Sequence, residues 1–234
     1  ESDMRRGKDT ANNIWGNQAA VLVGDFLYSR SFEMMVDVGQ LRVMQVLAQA
    51  TNVIAEGEVL QLLNCNDADT TEKRYLEVIY SKTAKLFEAA CQLGAILAEC
   101  TEAEEKAMAN YGMHLGTAFQ LVDDILDYSA SANEMGKNVG DDLAEGKPTL
   151  PLIIALERSE GDDAQMIRDA IEQGGLENIE AIMAIINKTG ALDYSRSIAE
   201  NETALAIESL ANFPDSEEKT ALTELAWFSI RRHH

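Results

Sequence analysis

Apolar residues recur at three- and four-residue steps along most of the chain, which is the spacing of one face of an α-helix. Only three prolines occur in 234 residues, and this favours long helices over sheet. Shorter amphipathic segments follow Asp162 and are separated by glycines or a proline. The pattern predicts an all-α fold in a single domain, 1–234, with helices over 15–38, 41–63, 72–99, 101–128 and 149–157.

The fourth of these predicted helices carries three aspartates on one face. Asp123 and Asp127 are four residues apart, and Asp124 and Asp127 are three apart, so the carboxylates are neighbours on a helix that is otherwise apolar. Three buried carboxylates repel one another unless a cation compensates them, and Mg²⁺ favours carboxylates that leave room for water and phosphate. A solvated first turn is the alternative. Because the helical pattern begins near Glu102, we interpret the three as a metal–diphosphate site.

The chain as a whole is strongly acidic, so its few basic residues are informative. The chain has 19 Lys and Arg against 40 Asp and Glu, a net charge of −21, which argues against nucleic acid or anionic lipid as partners. The adjacent Arg5 and Arg6 suit phosphate binding, although a solvated loop is the usual explanation for an isolated Arg-Arg pair, and the choice depends on the other residues of the site. Lys82, on the apolar side of its predicted helix, either extends to solvent or meets an anion. Lys137 and Lys147 lie in a glycine-rich loop that can close over phosphates.

The chemistry-bearing residues together indicate a polyanion held through Mg²⁺, and the apolar helices around them indicate a hydrocarbon body on the same substrate. The sequence lacks the motifs that other common enzyme classes require. The sequence has no glycine-rich phosphate loop ending in Gly-Lys-Ser/Thr and no Gly-x-Ser-x-Gly elbow. It also has no Glu-x-x-His pair, which disfavours a di-iron bundle.

Three cysteines bear on where the protein works. Cys65, Cys91 and Cys100 are odd in number and widely spaced, so we expect neither a disulfide framework nor a cysteine metal site. No apolar run is long enough to span a bilayer, and no signal sequence is recognisable. These features predict a cytoplasmic protein.

Residues 119–127, Phe-Gln-Leu-Val-Asp-Asp-Ile-Leu-Asp, resemble the second aspartate-rich motif of the trans-isoprenyl diphosphate synthases. The resemblance covers essentially the whole chain and includes Arg5-Arg6-Gly7, Ser81-Lys82-Thr83 and Glu145-Gly146-Lys147-Pro148-Thr149. It implies an isoprenoid-synthase-type helical bundle around a deep apolar central cavity. Members of this family are usually homodimeric, with Mg²⁺ between the enzyme and the diphosphate.

The resemblance also implies roles for individual residues. Asp123, Asp124 and Asp127 would hold one Mg²⁺ on the allylic diphosphate, Arg5 would bind the same diphosphate, and Arg6 would bind isopentenyl diphosphate. The remaining residues implied to bind the allylic diphosphate are Lys82, Thr83, Gln120, Lys137 and Lys147. Lys82, Gln120, Asp123 and Asp124 are the residues implied to act in catalysis.

The implied reaction condenses isopentenyl diphosphate with an allylic prenyl diphosphate such as farnesyl diphosphate. Residues 53–58 and 87–90 are most similar to bacterial octaprenyl diphosphate synthases. The implied product is therefore a medium- or long-chain all-trans polyprenyl diphosphate, octaprenyl, of the kind used for quinone side chains. Release of such a product is compatible with transient membrane contact.

One departure from the family pattern concerns the start of the chain. The family's first aspartate-rich motif normally lies just before Arg-Arg-Gly, and this sequence begins immediately after that point. We therefore expect these 234 residues alone to be inactive. A non-catalytic subunit that regulates or dimerises with an active partner is the alternative function. A plain helical scaffold is a third, which leaves residues 120–127 and the loop lysines unexplained.

Overall fold

The computed structural model describes residues 4–5, 8–129 and 140–232, with only the backbone described at 4–5, and these residues are helical almost throughout. Two short strands, β1 (Met4–Arg5) and β2 (Lys8–Asp9), pair antiparallel. The helices are α1 (Ala11–Val38), α2 (Leu41–Asn64), α3 (Glu72–Ile79), a π-helix (Tyr80–Ala84), α4 (Lys85–Leu97), α5 (Glu102–Ser129), α6 (Asp141–Ala144), α7 (Leu150–Glu157), α8 (Gly161–Gln173), α9 (Ile179–Thr189), α10 (Ala191–Ser209) and α11 (Glu217–Arg231). The predicted all-α class is confirmed.

The chain divides into two compact units, residues 1–48 and 49–234, and the prediction of a single domain stays a prediction. In the first unit, α1 ends where Gly39 takes a left-handed conformation at φ 72° and donates its N–H to the carbonyl oxygen of Val36. Most large apolar side chains of α1 are exposed, among them Leu22 at 67% and Phe26 at 66%. None of the described helices combines the length and hydropathy needed to cross a membrane, and the predicted cytoplasmic location stays a prediction.

The segment predicted as one helix over 72–99 is three consecutive pieces, so that prediction was wrong in detail. α3 begins after Thr71, whose Oγ1 accepts a hydrogen bond from the backbone N–H of Arg74 at 3.3 Å. The chain then widens into the π-helix, which contains Lys82 and Thr83, before α4 resumes regular geometry. A single π turn adds one residue and leaves the apolar spacing on either side intact, so periodicity does not reveal it. Such turns are frequent at functional sites.

Glycines let neighbouring helices approach the π-helix at backbone distance. A Cβ on Gly116 of α5 would lie 2.7 Å from the Cα of Ala84, and a Cβ on Gly112 would lie 2.3 Å from the carbonyl oxygen of Phe87. From α2, a Cβ on Gly57 would lie 2.7 Å from the backbone nitrogen of Lys82. These contacts set the separation between Lys82 and the aspartates of α5, so glycine geometry positions the site.

The core of the second unit surrounds α7, which is apolar on every side. Leu150, Leu152, Ile153 and Ile154 are all buried, and they pack in one cluster with side chains from α3, α5, α8, α9 and α10. Full burial of such side chains is the largest stabilising contribution available to a helical domain. Because α7 follows directly after residues 140–149, its core anchors that segment beside α5.

Replacing Gly112 by alanine should destabilise the protein, because the new methyl group would overlap the backbone of α4. Overpacking of this kind costs about 1–3 kcal/mol. The matched control is Gly94→Ala in α4, where a Cβ meets nothing within 4 Å. That variant should gain up to about 1 kcal/mol from helix propensity. Thermal unfolding would contradict the account if Gly112→Ala melted at or above the wild-type temperature.

Candidate active site

A cavity of about 120 Å³ opens where α2, α3, the π-helix, α5 and residues 142–149 meet. Five of the residues selected from sequence line it: Lys82, Thr83, Gln120, Asp124 and Lys147. Val78 and Ile79 give one wall an apolar surface. The structure therefore brings acids, lysines and apolar side chains from distant parts of the chain into one space.

Asp124 is the most buried carboxylate of this group, with 4% of its surface exposed. Its Oδ2 accepts a hydrogen bond from the hydroxyl of Tyr75 at 2.6 Å, and its Oδ1 accepts one from Nε2 of Gln120 at 2.7 Å. The Oε1 of Gln120 in turn accepts from Oγ1 of Thr83 at 3.0 Å. This chain of bonds links the π-helix, α5 and α3, and it holds the Asp124 carboxylate in one orientation.

Burial and neighbouring negative charge act on the aspartates of α5. Burial, with the charges of Asp142 and Asp123, raises the pKa of Asp124 to about 8, although the hydrogen bonds from Tyr75 and Gln120 lower it in part. Burial and Asp142 raise the pKa of Asp127 to about 6. A nearby cation would reverse both shifts, because it favours the ionised carboxylate.

Asp142 is a site residue to which sequence reasoning assigned no role. It lies in α6, a four-residue helix whose first two backbone N–H groups, those of Asp141 and Asp142, donate to the two carboxylate oxygens of Asp127 at 3.2 Å each. These bonds bring the Asp142 carboxylate toward the aspartates of α5. The Asp-Asp pair at 141–142 was visible in the sequence, but its distance from residue 124 along the chain indicated no contact.

Lys147 forms ion pairs with two acidic residues near it along the chain. Its Nζ lies 3.1 Å from Asp142 and 2.6 Å from Glu145. Burial lowers the pKa of Lys147, but the two carboxylates outweigh burial and raise that pKa above its ordinary value. Lys147 therefore stays charged inside a partly buried site.

A left-handed turn places Lys147. Gly146 has φ 68°, and a Cβ there would lie 2.3 Å from Nδ2 of Asn66. The backbone N–H of Asn66 donates to the carbonyl oxygen of Gly146 at 2.8 Å, and its side chain donates to the carbonyl oxygen of Ile171 at 3.1 Å. Asn66 therefore ties the lysine-bearing loop to α8.

Lys82 contacts polar side chains of α2. Its Nζ lies 3.1 Å from a carboxylate oxygen of Glu58 and donates to Oε1 of Gln61. Both partners belong to α2. A strong anion entering the cavity would compete with Glu58 for this lysine.

Asp123 does not line the cavity with Asp124. Its Oδ1 is 2.7 Å from Nη2 of Arg232, and its side chain is 42% exposed. Within 8–129 and 140–232, no three acidic, histidine or cysteine side chains converge as a ready-made metal cluster. Mg²⁺ is commonly held by one or two carboxylates together with water and substrate phosphate, so Asp124 and Asp127 on one face of α5 fit that ion without a preformed three-residue cluster.

The side chains of three residues selected from the sequence are not described by the structure. Arg6 and Lys137 lie outside the described residues, and Arg5 is described only through its backbone in β1. Their implied phosphate contacts stay predictions.

Comparison with known proteins shows the family to which the chain belongs. The model of the polyprenyl synthetase family matches residues 1–189. Over 233 residues the chain is 56% identical to octaprenyl diphosphate synthase of Escherichia coli K12, covering 99% of this chain and 72% of the relative. The chain belongs to the polyprenyl synthetase family. Another member, the geranyl-diphosphate-specific all-trans-nonaprenyl-diphosphate synthase of Rhodobacter capsulatus, is 46% identical over 232 residues, covering 99% of this chain and 71% of the relative.

Solved polyprenyl synthases share the fold. A polyprenyl synthase from Caulobacter crescentus CB15, solved in complex with calcium and isoprenyl diphosphate, superimposes with a TM-score of 0.93 at 43% identity. The match covers 100% of this chain and 72% of that structure. The predicted resemblance, helical fold and enzyme class, a trans-prenyltransferase, are confirmed.

The raised pKa of Asp124 predicts a pH dependence of stability for the polyprenyl synthetase without metal. A carboxyl with a native pKa above its unfolded value binds its proton more tightly when folded, so this contribution falls as pH rises from about 4 to about 8. In chelator at about pH 8.5, Asp124→Asn should melt about 3 °C or more above wild type, with most of the gain lost at about pH 4.5.

Asp193→Asn on α10 is the control for this experiment, because the Asp193 side chain is exposed. Its effect on the melting temperature should be the same at both pH values. A pH-independent effect of Asp124→Asn would contradict the raised pKa.

Proposed function

We propose that this protein condenses isopentenyl diphosphate with an allylic diphosphate and so lengthens an all-trans polyprenyl diphosphate. The observation that carries the proposal is the composition of one cavity: a buried, hydrogen-bonded Asp124 facing Asp142, with Lys82 and Lys147 on the same lining. Acids and lysines in one partly apolar space suit a ligand with an anionic head, a bound cation and a hydrocarbon body. Family membership supports the same reaction class.

For the proposed reaction, Asp124 and Asp127 would hold Mg²⁺ together with Asp123 of the same motif, and Asp142 lies near them. When bound, the ion supplies positive charge for the diphosphate that leaves the allylic carbon. The orientation of Asp124 comes from the protein, because Tyr75 and Gln120 fix both of its oxygens before any ligand arrives. Such preorganised charge is usually the largest contribution to catalysis of this type.

Lys82 and Lys147 bind the diphosphate oxygens as point charges. Each already contacts a carboxylate, Glu58 for Lys82 and Glu145 for Lys147, so diphosphate binding exchanges one anionic partner for another. Thr83, in the same π turn, would donate its hydroxyl proton to a diphosphate oxygen in place of Oε1 of Gln120. Arg5, Arg6 and Lys137 complete the proposal through their positions in the family motifs.

Val78 and Ile79 give the same cavity an apolar surface beside its charged residues. An allylic cation reacts with water, so the carbon chain needs a dry surface at the point where the diphosphate departs. The double bond of isopentenyl diphosphate then attacks the cation, and a proton leaves to the released diphosphate. No covalent bond to the protein forms in this sequence.

For the product we propose octaprenyl diphosphate made from farnesyl diphosphate, which is supported by the 56% identity to the Escherichia coli enzyme. The test is to incubate the complete protein with farnesyl diphosphate, labelled isopentenyl diphosphate and Mg²⁺, and to measure product length. A single C40 product supports the whole proposal. A different length keeps the reaction but rejects the octaprenyl assignment. Absence of product would favour a non-catalytic subunit.

Lys147→Met should lower kcat by about 100-fold, because it removes a buried positive charge from the diphosphate site while keeping the side-chain volume. The matched control is Lys188→Met on α9, where the lysine is exposed and pairs with Asp163. Steady-state kinetics should show the control within about twofold of wild type. A Lys147→Met enzyme that kept wild-type kcat would contradict the proposed diphosphate contact.

We propose that the protein is a homodimer that buries the exposed apolar side chains of α1. Patches of this extent on a folded protein commonly mark an interface. Light scattering should give a dimer mass for the wild type and a monomer mass for Leu22→Asp/Phe26→Asp. Phe228→Asp on α11, at 65% exposure, is the matched control and should keep the dimer mass. A monomeric wild type would refute this assembly.

A further inference from the structure

Arg232, at the end of the described chain, contacts the aspartate-bearing helix through several groups at once. Its Nη2 lies 2.7 Å from Oδ1 of Asp123 and donates to the carbonyl oxygen of Phe119 at 2.6 Å. Its Nε donates to the carbonyl oxygen of Ser229 at 3.0 Å, and its guanidinium carbon lies 3.8 Å from the centre of the Phe119 ring. The side chain is only 12% exposed.

These contacts leave the guanidinium little freedom. Phe119 lies one helical turn before Asp123, so its ring and its carbonyl oxygen contact the guanidinium from α5. The hydrogen bond to Ser229 contacts the guanidinium from α11. A planar guanidinium with several directed N–H groups can make these contacts simultaneously, which a lysine ammonium on a flexible stem cannot. Partial burial makes the ion pair with Asp123 stronger than an exposed pair would be.

The neighbouring Arg231 shows what an ordinary arginine at this helix end does. Arg231 is exposed, and its guanidinium lies 5.2 Å from the ring of Trp227 on its own helix. Two adjacent residues of the same type thus have different surroundings, one on the surface of α11 and one inserted against α5. The insertion of Arg232 brings a positive charge to the first aspartate of the motif.

We propose that Arg232 is a positioning residue, which fixes the carboxylate of Asp123 at the edge of the magnesium–diphosphate site. The end of α11 is then part of the active site, although it lies more than a hundred residues from the motif. This inference rests on the proposed function of the motif. Groups that orient a metal-binding side chain typically change metal affinity or activity by about 10- to 100-fold when they are removed.

The test compares Arg232→Gln, Arg232→Lys and Arg231→Gln in the complete protein. For each we would measure kcat, KM for both substrates, the Mg²⁺ concentration at half-maximal rate, and the melting temperature. Arg232→Gln should raise the Mg²⁺ requirement about tenfold or more and lower kcat at limiting Mg²⁺. Arg232→Lys should recover part of this loss, and Arg231→Gln should stay within about twofold of wild type.

The Mg²⁺ requirement separates positioning from a merely structural role. Assays run well below the melting temperature of each variant remove differences in folded fraction. If Arg232→Gln then shows the Mg²⁺ requirement of Arg231→Gln while the wild type is active, the inference is overturned and the proposed function stands. An inactive wild type would instead refute the proposed function, and the inference with it.

Discussion

The burial of carboxylates close to one another is the constraint on which the candidate site depends. Asp124 and Asp127 lie on one face of α5, and α6 brings Asp142 against them, so negative charge accumulates where little water can screen it. Burial first, and the neighbouring charge of Asp142 second, raise the pKa of Asp124 to about 8 and that of Asp127 to about 6. Lys147 pairs with Asp142, whereas Asp124 and Asp127 form no ion pair with a basic residue within 8–129 and 140–232. An added divalent cation that carries a diphosphate resolves the imbalance, and this links the electrostatics to the proposed chemistry.

The surrounding scaffold keeps these charges in fixed positions. Close backbone approaches at Gly57 and Gly116 hold α2 and α5 against the π-helix and so fix the backbone of Lys82 relative to α5. Asn66 holds the loop that carries Lys147. Lys82 and Lys147 are therefore each paired with a protein carboxylate, which a diphosphate would replace. Such preorganisation lowers the reorganisation that a reaction would otherwise require.

Helical periodicity predicted most of the helices, because burial of one face imposes a 3.6-residue spacing on any sequence. Periodicity carries no information on a π turn, so the break at Tyr80 was missed. Asp124 and Lys147 were selected from the sequence because their chemistry is unusual in an acidic, helical chain; both line one cavity, and their roles stay predictions. Tyr75, Asp142 and Arg232 were not selected, because their importance arises only from contacts between distant segments. An isolated tyrosine, an acidic pair and a terminal arginine each have an ordinary surface explanation in sequence alone.

The most direct test of the account is calorimetric titration of the complete protein with an unreactive thio-analogue of farnesyl diphosphate. The titration is run with Mg²⁺ and with chelator, at about pH 7 in buffers of different ionisation enthalpy. If buried carboxylates await a cation, binding requires Mg²⁺ and releases about one proton per site, because Asp124 must ionise. Equal affinity in chelator, or Mg²⁺-dependent binding with no proton release, would contradict the claim that crowded, partly protonated acids form the site.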